Sequence, residues 1–126
     1  MLFARIFIGT SIIVLHGLPK LEKLQMAGEI KFYNFLGFGA ETTLIIAIIL
    51  EMIGAFLIMI GLFTRATSLI LVMVMAIAAF GVHEADPFSV MESSLLYLTI
   101  FALIFAFGPQ KYSIDSMLSR RRESKW

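Results

Sequence analysis

The chain has 126 residues, of which 60% are hydrophobic and 15% charged, with a mean hydropathy of +0.93. A soluble domain averages about 45–50% apolar and about 25% charged residues, so this balance excludes an ordinary soluble domain and points to an integral membrane protein. A net charge of +1 gives no reason to expect a nucleic-acid partner. The absence of cysteine rules out thiolate catalysis, disulfide exchange, iron–sulfur ligation and covalent haem attachment by this chain.

Four apolar runs predict four membrane helices, and hence an all-α integral membrane four-helix bundle in one domain spanning 1–126. Helix 1 is expected over about 2–18. Its opening resembles a signal peptide, but it has no clean small-x-small cleavage site and reads as a retained anchor. Arg5, Gly9, His16 and Lys20 share one face at ~100° per residue. Arg5 is placed to snorkel to the near interface and Lys20 to the far one. Pro19 lacks an amide donor and is expected to kink or end the helix. A three-span alternative, with helix 1 lying in the interface, is disfavoured because Ile6 to Leu15 carries no charge.

A polar connection follows, with the aromatic insert FYNFLGFG. It reads either as a segment in the headgroup region or as a loop folded over the bundle end. Helix 2 is expected over 42–63, long enough to cross a bilayer. Its one charged side chain, Glu51, needs a partner, a shared proton or water. Ala47, Glu51, Gly54, Ala55 and Gly61 share a face, which is expected to meet other helices while the greasy face meets lipid.

The short GLFTR link allows only a tight antiparallel turn into helix 3, expected over 65–82. Ala76, Ala79 and His83 mark its small face. After the acidic loop HEADPFSVM, helix 4 is expected over 89–107, with Glu92, Thr99, Ala102 and Ala106 on its inward face. Gly108-Pro109 is a helix stop. The tail, 113–126, reads as an amphipathic helix, with Ser113 as N-cap and Ile114, Met117 and Leu118 opposite a basic run.

Four spans put both termini on one side. That side carries Arg5, Arg65, Lys111, Arg120, Arg121, Arg122 and Lys125, against Lys20, Lys23 and Lys31 on the other. The positive-inside rule makes the richer side cytoplasmic. His16, Lys20, His83 and Glu92 then gather in the outer half around Glu51, which lies roughly 13 Å below the outer start of its helix at 1.5 Å per residue. Glu51 is the candidate proton-transfer group, and the other four are candidate ligand-binding residues. Arg5, Arg65 and Arg120 to Arg122 are candidate membrane anchors. Each has a plainer reading: Glu51 as a packing group, His16, Lys20 and Glu92 as interfacial residues, the arginines as topology signals. A b-type haem on His16 and His83 is disfavoured, and no spacing of metal ligands, phosphate loop or nucleophile elbow occurs.

The chain resembles the DoxX family of small bacterial membrane proteins over nearly its whole length. The resemblance rests on Arg5 and Gly9, the HGLPKL of His16 to Leu21, the Glu51-x-x-Gly54 pair and the GLFTR of Gly61 to Arg65. It continues through His83, Glu92 and the GPQKYSID of Gly108 to Asp115. Pro19 departs from it, since many relatives carry serine or alanine there. The resemblance implies a four-helix bundle in the bacterial cytoplasmic membrane. It also implies association with redox complexes, because the family is named for similarity to a membrane subunit of a thiosulfate:quinone oxidoreductase. A quinone is the cofactor or substrate this would bring. The expected partners are the lipid bilayer, from composition, and redox-complex proteins, from the resemblance; a second copy of the chain is what a transporter role would need. A non-catalytic assembly role and a small proton or solute transporter subunit are the alternative readings.

Overall fold

The computed structural model describes residues 1–26, 28, 34–82 and 87–125. The described residues are helical or irregular, with no strand among them. Helix α1 runs over Leu2–Gln25, α2 over Ala40–Ile60 and α3 over Thr64–Gly81, and these three are long and apolar enough to cross a membrane. A fourth apolar helix, α4, spans Phe88–Phe107, and a short polar helix, α5, spans Ile114–Glu123. Large apolar side chains lie exposed along all four long helices, among them Phe7, Ile53, Met73 and Leu103. A water-soluble protein rarely shows so much contiguous apolar surface; lipid is the solvent that suits it.

Consecutive helices are neighbours: α1 packs on α2, α2 on α3, and α3 most extensively on α4. Small residues set the closest approaches. A Cβ at Gly9 would lie 2.9 Å from the Ala55 carbonyl oxygen and would strike Met59, and one at Gly17 would lie 2.8 Å from Met52. The α1–α2 contact therefore depends on bare backbone, as expected where packing rather than hydrophobicity drives association.

Helix 1 does not stop at Pro19. A π-helical turn over Ile13–Gly17 joins two α-helical stretches, and the Leu18 amide donates to the Ile13 carbonyl five residues back. The proline then falls in the first turn of the next stretch, Leu18–Gln25. An amide donor is dispensable there, so the rod continues.

Helix α2 ends at Gly61, earlier than expected, in a left-handed Schellman cap. The Gly61 amide donates to the Ile58 carbonyl at 3.2 Å and the Leu62 amide to the Leu57 carbonyl at 3.0 Å. Phe63 is also left-handed, at φ 50°, so the chain reverses within three residues.

The inward face of α4 is the reverse of the expected one. Ser94, Tyr97, Phe101 and Ile104 are buried, whereas Glu92, Thr99, Ala102 and Ala106 are exposed. The reason lies in α3, whose inward face carries Thr64, Thr67, Ser68 and Ala79 beside Leu71 and Met75. Small residues there leave room that the bulky side of α4 fills, and the core stays close-packed.

Candidate functional site

Glu51 is fully buried, on the face of α2 that also carries Ile48, Gly54, Ala55 and Ile58. The helical steps of three and four residues that gather the small residues also turn the carboxylate inward. The continuation of α1 past Pro19 brings Lys20 opposite, and its Nζ donates to Glu51 Oε1. The Lys20 side chain keeps 19% exposure and the Glu51 side chain 1%, so the pair is reached from the lysine side. Oε2 of Glu51 is buried and has no hydrogen-bond partner among the described residues. A buried carboxylate oxygen without a donor costs free energy comparable to a lost hydrogen bond, more when charged. That oxygen keeps unused acceptor capacity for a hydroxyl or amide donor.

One turn before Lys20, His16 lies in the π-helical turn and is half-buried. Its ring meets Tyr97 of α4 edge to face, with centroids 4.9 Å apart. Tyr97 also stacks near Phe101. Helices α1 and α4 are not among the closely packed pairs. Aromatic side chains rather than close backbone bridge this seam. Tyr97 lies beside these candidates and is a residue that reading the sequence missed. The available signal was a phenol three residues beyond Ser94 on one apolar helix, where a buried hydroxyl needs a partner.

The remaining candidates fall elsewhere. Glu92 is exposed and does not join Glu51. His83 lies outside the described residues. Arg5 is a correction: instead of anchoring in lipid it is fully buried at the opposite end of the bundle from Lys20. Its Nη2 donates to the Tyr112 carbonyl, and its Nη1 lies against Gly61, where a Cβ would overlap it. Asp115 closes this end. Its Oδ1 accepts from the Phe63 amide and its Oδ2 from the Thr64 amide, both at 2.8 Å, while its own amide donates to the Gly61 carbonyl at 2.9 Å. The carboxylate thus satisfies the free amides at the positive end of α3. The α1 start, the GLFTR turn and the chain after Gly108 are one interlocked junction, and Asp115 is the part of it that sequence reading did not single out. Arg65 is exposed, with its guanidinium over Gly108. Arg120, Arg121 and Arg122 are exposed on α5.

The chemistry divides accordingly. The end holding Arg5 is tied together by backbone contacts to Tyr112, Phe63, Thr64 and Gly61 and works as a structural lock, although Arg5 Nε and Nη1 and Thr64 Oγ1 are buried there without a hydrogen-bond partner among the described residues. The other half holds a carboxylate, an ammonium, an imidazole and a phenol on three helices, which is a set able to bind a polar head and move a proton.

A family model described as DoxX matches residues 1–84. The matched stretch contains Arg5, His16, Lys20 and Glu51 and stops before α4. No curated protein and no solved structure matches the chain.

Proposed function

Because the chain belongs to the DoxX family, we propose that it is a membrane subunit or accessory of a quinone-linked redox complex, handling the quinone or quinol as substrate. One observation carries this reading: the buried Glu51 carboxylate, paired with Lys20 through one oxygen, keeps the other free. A quinol hydroxyl can donate to that oxygen, and a quinone carbonyl can accept from Lys20, whose ammonium has three donors and uses one on Glu51. Interconversion of quinone and quinol moves protons, and a site shut off from water needs a titratable group to take or give them. Glu51 is that group, with Lys20 holding it in place. His16 and Tyr97 flank the seam between α1 and α4, where an apolar tail can lie against lipid. Electrons come from a partner protein, since this chain has no redox-active side-chain pair of its own.

The proposal places the protein in the bacterial cytoplasmic membrane with both termini in the cytoplasm and this site toward the outside. The observation that favours the assembly alternative is the same ion pair, which ties α1 to α2 and fixes their register. Titrating a short-chain quinone into gently purified protein separates the two. Binding that Glu51→Gln weakens at least tenfold, with unchanged helix content, supports the substrate reading. No binding, and no quinone among the lipids extracted from the native preparation, leaves the pair as a packing device.

A further inference from the structure

The tail helix α5 has no buried residue, yet it is held firmly at its first turn. Ser113 Oγ accepts from the Ser116 amide at 3.2 Å, and the Asp115 carboxylate is committed to α3. The helix thus projects from the bundle at a fixed angle, beside the last residue of α2. A groove runs between them, lined by Ile60, Ile114 and Met117 with Lys111 and Arg120 at its sides. A second groove on the other flank shares Ile114, Met117 and Arg120 and adds Leu118 and Arg121. Met117 is 68% and Leu118 49% exposed, on a helix whose other residues, Ile114 apart, are polar.

We infer that the first groove is a binding site for one anionic phospholipid. Its phosphate lies between Lys111 and Arg120, and an acyl chain runs over Ile60, Ile114 and Met117 toward the apolar flank of α2. Two features on the same few residues favour this occupant over another protein. The apolar floor begins where a membrane-length helix ends, so it is continuous with the lipid-facing surface. The charge beside it is of one sign: residues 111–125 carry five basic side chains and two acidic ones, and one of the two, Asp115, is already bound by backbone amides. A cationic rim over an apolar strip at that depth matches a phosphodiester with its chains. The inference stands apart from the quinone proposal, because Lys20 and Glu51 belong to the other half of the bundle.

The test is native mass spectrometry of the detergent-solubilised full chain, titrated with phosphatidylglycerol or phosphatidylcholine. Wild type is expected to retain phosphatidylglycerol preferentially. A basic side chain at an anionic surface contributes roughly fivefold to binding, so Lys111→Gln with Arg120→Gln is expected to weaken retention by about 30-fold. The charge-matched pair Arg122→Gln with Lys125→Gln, whose side chains line neither groove, is expected to change it by less than half as much on a logarithmic scale. Equal losses in the two pairs would mean diffuse electrostatics and overturn the site. So would equal retention of the two lipids by wild type, which needs no variant to fold. Inorganic phosphate displacing the lipid completely would reassign the groove to a free anion.

Discussion

The ion pair between Lys20 and Glu51 makes its stability argument at the scale of two side chains. Each charge is tolerable in an apolar bundle because the other is present, so removing one strands its partner. Lys20→Met is expected to destabilise the protein by about 3 kcal/mol, the low end for a buried pair, because Lys20 keeps some solvent contact. Lys20→Met combined with Glu51→Leu is expected to recover most of that loss, since two apolar groups of similar volume need no partner. Thermal melts of the three variants in one detergent complete the cycle. If the double variant is as unstable as the single one, the pair does more than neutralise charge. Arg5 follows the same logic with a different partner set. Its planar guanidinium spans a backbone carbonyl and the bare backbone of Gly61, a geometry that lysine does not reproduce.

At the scale of elements, two glycines decide where helices end and how closely they approach. Gly61 is left-handed at φ 72°, and a Cβ there would overlap Arg5 and Ser113. Gly61→Ala therefore meets a backbone cost of about 1–2 kcal/mol plus a steric one, and its melting temperature is expected to fall below that of wild type by several degrees. Gly9→Ala forces a methyl against the Ala55 carbonyl and is expected to cost about 1–3 kcal/mol by overpacking. A melt unchanged in either variant would show that the helices separate without penalty. The junction around Asp115 gives a third expectation. Asp115→Ala leaves the Phe63 and Thr64 amides without their acceptor and is expected to cost about 1 kcal/mol, typical of a lost helix cap. Because the same carboxylate holds the tail, limited proteolysis is expected to cut between Gly108 and Glu123 faster in this variant. Equal cutting rates would detach the tail's order from that carboxylate.

How much of this was legible from residues alone follows from which signals are local. The face of α2 carrying Glu51 was readable, because a small-residue stripe in an apolar helix has one physical use, close packing. The tight turn after α2 was readable from Gly61 and Thr64-Arg65, but the cap at Gly61 was not, because the apolar run continues to Phe63. The orientation of α4 was not. Its small stripe and its bulky stripe both suit burial, and the choice was made by the small residues of α3, a tertiary fact. The burial of Arg5 was also hidden: an arginine near a helix end ordinarily snorkels, and only the chain returning after Gly108 supplies the carbonyl that captures it. Pro19 misled in the opposite direction. A proline predicts a kink or an end, and the helix does not end because a π turn placed just before it moves the missing donor to a position where none is required.

For the whole molecule the open question is which way the bundle faces, and the structure changes the terms of the positive-inside argument. Arg5 contacts Tyr112, so the start of α1 and the chain after α4 meet at one end, and one reporter at either terminus reports for both. By the positive-inside rule, seven basic residues at that end against three at the other make the cytoplasm its expected side. Arg5 is buried and bound inside the protein, which leaves six exposed basic residues at that end. The excess persists, at six against the three lysines of the other end, once Arg5 is set aside, and the K/R bias is what orients a span. A fluorescent reporter that matures only in the cytoplasm, fused at the C-terminus, is expected to light up, and an alkaline phosphatase fusion at the same point to stay inactive. Replacing Arg120, Arg121 and Arg122 with glutamine lowers the inner count to three exposed residues and is expected to yield a mixed population. Phosphatase activity in the unaltered chain would invert the topology, placing the Lys20–Glu51 site toward the cytoplasm. Its protons would then come from the opposite compartment.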